Sequence, residues 1–149
     1  MAQYLLDTNV VLRLLDPTAP EHPACRAATE VLTAAGHALL LAPQVIYEFW
    51  VVSTRPQANR GFGWPTARAA QAVDRLLAAF PLYPETPDIF ATWRTLVEQH
   101  GIAGKRAHDA RPAAFKQVHA VPYLITLNGR DFVALTAGVL APEEARERA

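Results

Sequence analysis

The sequence predicts an α/β fold of three layers, a mostly parallel central sheet covered by helices on both faces. Two observations predict the layers. Short apolar runs, Gln3 to Leu6, His37 to Ala42 and Tyr123 to Thr126, have the near-continuous hydrophobicity of strands buried on both faces. Stretches with helical spacing separate them, and strands that alternate with helices run parallel through crossover connections. A third observation concerns function. Asp7 closes the first run, at the carboxyl end of a strand, where open α/β sheets bind their ligands.

In chain order, strand Gln3 to Leu6 leads to a short helix from about Asn9 to Leu15, stopped by Asp16-Pro17. Glu21 to Ala35 is alanine-rich with apolar residues at helical spacing, and Gly36 ends it. After the strand His37 to Ala42, Pro43 suits the first turn of a helix whose broad apolar face comprises Val45, Ile46, Phe49, Trp50 and Val52, with Glu48 set among them. Ser53 to Pro65 holds Pro56, Gly61 and Gly63 interleaved with Arg55, Arg60, Phe62 and Trp64, the composition of a long exposed loop. Thr66 is placed to cap a helix over Ala67 to Ala79, whose apolar face Val73, Leu76, Leu77 and Phe80 reads as core. A brief strand at Leu82 and Tyr83 precedes a helix from Pro87 to His100, ended by Gly101. The loop Gly101 to His108 leads to a helix that begins at Asp109 and runs to about His119. Pro122 introduces the strand Tyr123 to Thr126, and Asn128-Gly129-Arg130-Asp131-Phe132 follows as a turn. One domain, residues 1–149, is expected, with 143–149 a frayed charged tail.

Composition narrows the function classes. The 14 basic residues balance the 14 acidic ones, so no global field attracts polyanions and nucleic-acid binding requires a local patch. The single Cys25 excludes an internal disulfide and a cysteine-rich zinc site, consistent with a reducing cytoplasm, and reads as packing. The first apolar run is broken by Asp7 and Arg13, so neither a signal peptide nor a membrane span is expected.

The chemistry candidates are Asp7, Glu48, Asp109 and Asp131. Singly, each has an ordinary reading: Asp7 and Asp109 as helix caps, Glu48 as a helix-edge residue, Asp131 as a turn acid. Together, two of them follow apolar strands and face one edge of a parallel sheet. Carboxylates crowded in a crevice resist ionising together unless a cation sits between them. All-oxygen ligands suit a hard cation, Mg2+ or Mn2+. Zinc would call on histidine or cysteine, and the histidines show no His-Glu-x-x-His spacing; His22, His37, His100 and His119 read as surface or core, while His108 adjoins Asp109.

Four stretches in this order, Leu6-Asp7-Thr8-Asn9, Pro43 to Phe49 with Glu48, His108-Asp109-Ala110-Arg111 and Leu124 to Phe132, resemble PIN-domain ribonucleases, and among them the VapC-type toxins of bacterial toxin and antitoxin pairs. The resemblance spans nearly the whole chain. It implies that Asp7, Glu48 and Asp109 are metal-binding acids, that Thr8 or Asn9 supports the site, and that the fourth position falls to Asn128 or Asp131. It also implies one or two Mg2+ or Mn2+ ions, an RNA substrate, a restraining VapB-type antitoxin and a homodimer. The implied reaction is metal-assisted hydrolysis of RNA phosphodiesters, with two ions, where present, roughly 4 Å apart. Arg55, Arg60, Lys105, Arg106, Arg111 and Arg130 fall in or beside loops where they would grip RNA, and Phe62 and Trp64 would stack on unpaired bases.

Pro112 departs from the family pattern, which places an aliphatic residue there. It is tolerated in a first turn if the helix starts at Asp109, whereas an earlier start would distort the helix and could move Asp109 out of register. Lys116, on the same helix, reads as solvated. Two alternatives stand beside the nuclease. A haloacid-dehalogenase-like phosphatase also begins with a strand ending in aspartate, but needs a second aspartate where this chain has Asn9. A catalytically impaired interaction module on the PIN fold would keep the core without the chemistry.

Overall fold

The computed structural model describes residues 1–149. Four parallel strands, β1 (Gln3–Leu6), β2 (Ala38–Leu40), β3 (Tyr123–Ile125) and β4 (Val139–Leu140), form a sheet in the order β2-β1-β3-β4. Seven helices surround it: α1 (Thr8–Leu14), α2 (His22–Ala34), α3 (Pro43–Thr54), α4 (Thr66–Ala79), α5 (Pro87–Gln99), α6 (Arg106–Val118) and α7 (Pro142–Glu147). The expected three-layer α/β architecture is thus present. The chain passes from β1 to β2 on one side and returns to place β3 on the other, so the strand order reverses at β1. A crevice opens at the carboxyl ends of strands flanking such a reversal.

The strands are buried because their side chains meet helices above and below. Leu5, Leu6, Leu40, Leu124 and Ile125 are fully enclosed, and Phe49 of α3 and Phe115 of α6 pack in the same core. Registers of Leu6 with Ile125 and of Leu5 with Leu40 bring the strand ends level. Cys25 lies in this core, where burial raises its thiol pKa to about 11, so it is packing, as expected.

Several elements differ from the expectation. α6 begins at Arg106 rather than Asp109, and Pro112 lies inside it. The extra turn is built from short bonds: the Ala107 N–H donates to the Gly104 carbonyl and the His108 N–H to that of Lys105. Lys116 is not solvated; it is 6% exposed and donates from Nζ to Thr136 Oγ1 at 3.0 Å. Thr66 is the first residue of α4 and Pro65 occupies the cap position, without a side-chain bond. The strand at Leu82 and Tyr83 reduces to a single parallel bridge between Leu41 and Leu82. The apolar faces are narrower than the periodicity suggests: Trp50 is 38% exposed and Leu77 is also exposed, while Ala69, Ala72 and Leu76 form the buried stripe of α4.

The segment after α3 is not a free loop. Phe62, Gly63 and Trp64 donate backbone N–H groups to the carbonyls of Val52, Arg55 and Ser53, so the chain folds back and satisfies the open end of α3. Gly61 is required for this return, since a Cβ there would collide with the Arg55 carbonyl. The charged tail is likewise a seated helix. In α7, Ala145 is fully buried, and the Glu144 carboxylate accepts from the Ala141 N–H at 2.9 Å to close its first turn.

Candidate active site

Asp7 leaves β1 with its N–H donating to the Ile125 carbonyl at 3.0 Å, which extends the β1–β3 ladder by one residue. The carboxylate is therefore aimed by the sheet itself, over the start of α1. Its Oδ1 accepts from the Thr8 N–H at 2.8 Å, so the capping role foreseen for Asp7 is real. Its Oδ2 accepts from Thr126 Oγ1 at 2.7 Å. With only 9% of its surface exposed, Asp7 has a raised pKa: desolvation is the main cause, the bonds from Thr126 and Thr8 oppose it, and the charges of Glu48 and Asp109 add to it.

Glu48 approaches from α3. Its Oε2 accepts from Thr8 Oγ1 and its Oε1 from Gln44 Nε2, each at 2.6 Å. Gln44 lies one helical turn before Glu48, the spacing that lets the two side chains meet. Asp109 enters from α6 at the third side of the same cleft, half-buried. Its pKa is also raised, by desolvation first and then by the negative charge of Asp131, with Arg106 pulling the other way and Glu48 adding a smaller push. The early start of α6 thus leaves Asp109 beside the other acids.

The cleft they line has a volume of about 510 Å³ and also takes in Thr8, Asn9 and Asn128. Asn9 holds the third crossing of the site, accepting from the Leu127 N–H at 3.2 Å and donating to Thr126 Oγ1 at 3.3 Å. The Asn128 N–H donates to the same hydroxyl at 3.0 Å. Asp131 stands apart in a neighbouring hollow with Asn128 and Arg130, near enough to Asp109 to repel it electrostatically. Of the two residues left open for the fourth position, Asn128 lines the cleft and Asp131 adjoins it.

Gln44 and Thr126 carry no assigned role in the sequence reading, yet they position two of the three acids. Both had a signal. Gln44 precedes Glu48 by four residues, and Thr126 is the polar residue that follows an apolar strand in register with Asp7.

The basic residues divide. Arg55 lines the cleft and its buried Nε has no hydrogen-bond partner in the protein. Arg106 affects Asp109, and Arg130 shares the hollow of Asp131. Arg111 instead pairs with Glu85, Nη2 to Oε1 at 3.1 Å, outside the acidic cleft. Arg60 and Lys105 are exposed. Phe62 and Trp64 are not free for stacking on bases. They pack on each other at 5.1 Å, Trp64 meets Phe49 edge-on, and Arg68 covers its ring at 4.2 Å.

The donor set suits a hard divalent cation: carboxylate, amide and hydroxyl oxygens surround one cleft with no histidine or cysteine among them. As placed, the carboxylates stand apart on their hydrogen bonds, and no three acidic, histidine or cysteine side chains share a coordination geometry.

The family model for the PIN domain matches residues 4–137. The chain belongs to the PIN domain family. Its fold is similar to VapBC2 from Rickettsia felis bound to a promoter DNA fragment, with a TM-score of 0.70 and 15% identity over 93% of this chain and 98% of that one. It is similar to DNA-bound VapBC from Salmonella typhimurium, with a TM-score of 0.70 and 14% identity over 95% and 99%. Mycobacterium tuberculosis VapC20, a sarcin-ricin loop cleaving toxin, aligns with a TM-score of 0.62 and 18% identity over 88% and 94%. No curated protein matches the chain. No helix of this PIN domain is long and apolar enough to cross a membrane. The phosphatase alternative falls with the family match, and its second aspartate position is Asn9, whose amide is engaged with Thr126 and Leu127.

Proposed function

We propose that this PIN domain is a divalent-metal-dependent endoribonuclease, the toxin of a VapBC-type pair, restrained by a cognate antitoxin. The observation that carries the reading is the convergence of Asp7, Glu48 and Asp109 on one open cleft at the carboxyl ends of a parallel sheet. The three carboxylates come from the end of β1, from α3 and from α6; Arg106 and His108 oppose the charge only at Asp109, and Arg55 lines the cleft. The pKa values of Asp7 and Asp109 are raised, chiefly by desolvation and further by neighbouring acids, Glu48 and Asp109 on Asp7 and Asp131 and Glu48 on Asp109.

Asp7, Glu48 and Asp109 would hold Mg2+ or Mn2+, as one or two ions, with Asn128 or Asp131 completing the set. The bound cation supplies Lewis-acid stabilisation of the charge that develops on a phosphodiester during hydrolysis. The chain's own residues do the positioning. Thr126 and the Thr8 N–H fix the orientation of the Asp7 carboxylate, and Thr8 Oγ1 with Gln44 fixes that of Glu48. Arg55 lines the cleft and offers a guanidinium to a backbone phosphate entering it. Pairing of two subunits would lengthen that groove. A similar fold in a toxin-antitoxin complex from Klebsiella pneumoniae supports an antitoxin partner.

The direct test is cleavage of total cellular RNA by the purified protein with Mg2+ or Mn2+, beside a chelated sample and Asp109→Asn. Discrete fragments that require both the metal and Asp109 are expected, and their ends locate the target. A folded, metal-binding protein that yields no fragments moves the reading to the impaired interaction module.

A further inference from the structure

A second concavity lies beyond the acidic cleft, on the side where α5 meets α6. It encloses about 330 Å³, within the range of small-ligand pockets, roughly 300–1,000 Å³. Its walls include Phe90 and Trp93 of α5, His108 and Arg111 of α6, and Glu85 with Thr86 from the turn before α5. The slot adjoins the acidic site through shared residues. Glu85 and Arg111 also line a small hollow that reaches Thr8 and Gln44, the residues that hold Glu48, while His108 directly precedes Asp109.

We infer that this slot binds one unpaired nucleobase of the RNA, next to the scissile phosphate; the inference rests on the ribonuclease reading and deepens it. Phe90 is 63% exposed on the wall of the slot, so its ring is open to a ligand. Its ring lies 6.0 Å from that of Trp93 at an interplanar angle of 31°, so the two form one platform rather than a two-sided clamp. Trp93 is fixed in place because its indole N–H donates to the Ala107 carbonyl at 2.6 Å. Stacking on such a platform is open to any base, because every base has a π-face.

The polar rim selects a base over a phosphate. Arg111 is balanced by its ion pair with Glu85, so the pair brings no net positive charge of the kind that a phosphate demands. The Thr86 hydroxyl oxygen is buried with no hydrogen-bond partner, although it stands where a cap to α5 would be made. An unsatisfied buried hydroxyl on the wall of a pocket is a waiting donor or acceptor for a ligand edge. Arg111, Thr86 and His108 together offer both donors and acceptors around an aromatic floor, the pattern by which unpaired bases are read.

The test uses Asp109→Asn to prevent cleavage and measures binding of fluorescent single-stranded oligoribonucleotides by anisotropy, with and without Phe90→Ala. Phe90→Ala weakens binding by about 5- to 150-fold, the loss that corresponds to one base–aromatic stack. A set of the same oligonucleotide with one abasic residue walked along it then shows a single position at which the Phe90→Ala penalty disappears. Circular dichroism and thermal melting of the Phe90→Ala protein confirm that it is folded, as expected for a side chain outside the core. Equal binding with and without Phe90, or a penalty that no abasic position removes, overturns the slot while leaving the nuclease reading in place. A change in monomer and dimer populations by Phe90→Ala without a change in RNA affinity also overturns it and assigns the face to self-association. Failure of the protein to bind or cleave any RNA refutes the ribonuclease reading, and the slot with it.

Discussion

The two ends of the β1–β3 pair are built from the same strands and do opposite things. At the amino end, Tyr4 and Tyr123 face each other in register and stack at 4.9 Å, with His37 edge-on to Tyr4. At the carboxyl end, three residues along, the partners are Asp7 and Thr126, a buried carboxylate and the hydroxyl that holds it. One end lowers the free energy of the fold by apolar and aromatic burial. The other spends part of that stability to keep negative charges close together. Stored repulsion of this kind is expected at sites that capture a cation, and strain persists only where the surroundings over-determine it.

The largest effect should come from the stabilising end. Tyr4→Ala removes a fully buried ring and leaves a cavity beneath β1, a loss of about 3–5 kcal/mol by analogy with other aromatic truncations. Urea unfolding should show a lower midpoint at an unchanged slope. Retention of the parent midpoint would mean that the aromatic end is not what holds the strand pair.

At the other end the same experiment should split activity from stability. Asp109→Asn keeps the volume and removes one charge from the cleft, so RNA cleavage in Mg2+ should fall by more than about 100-fold, beyond the loss typical of residues that merely support a ligand. The melting temperature should not fall. A variant that loses both together would show Asp109 to be structural, and the contrast between the two ends would collapse.

An intermediate effect is expected of the residues that hold the acids. Thr126→Val is nearly isosteric and deletes the hydroxyl that donates to Asp7 and accepts from Asn9 and Asn128. Cleavage should drop about 10- to 100-fold. Because that bond lowers the Asp7 pKa, its loss raises the pKa further, and the acidic limb of the pH–rate profile should move to higher pH. A uniform drop at every pH would instead indicate a packing defect.

The division between the two ends also explains what could be read from the sequence. Strands and their flanking acids were legible because unbroken apolar runs such as Tyr4-Leu5-Leu6 admit few alternatives, and Asp7 interrupts one of them. The start of α6 was not, because no side chain caps it: Lys105 stands at the cap position and the first turn is held by backbone bonds alone. Lys116 reads as solvated by its type, and its enclosure depends on Thr136, 20 residues away. The return of Gly61 to Trp64 onto α3 is written only in backbone hydrogen bonds, which no pattern of side chains announces. Phe62 and Trp64 therefore have the composition of a stacking surface although they are partly buried against the core, whereas Phe90, exposed on α5, has the local signature of an ordinary core residue of a helix.

The smallest effect is the pH dependence of stability, which reads what it costs to ionise Asp7 where it is buried beside other acids. The Asp7 carboxyl has a higher pKa folded than unfolded, chiefly through desolvation. The folded state then binds the proton more tightly, so stability falls as pH rises from the ordinary carboxylate range through the raised value, and the ionised group is a net cost above it. Asp7→Asn removes that ionisation and keeps an oxygen to accept from the Thr8 N–H. Without divalent metal, its melting temperature at neutral pH should exceed the parent's by a small margin that closes as the pH is lowered and Asp7 takes up its proton. Adding Mg2+ should raise the parent's melting temperature and leave Asp7→Asn nearly unmoved, because a ligand stabilises only the state that binds it. A parent that gains nothing from Mg2+ or Mn2+, with Asp7→Asn still the more stable of the two, would leave the charge cluster real but detach it from metal binding.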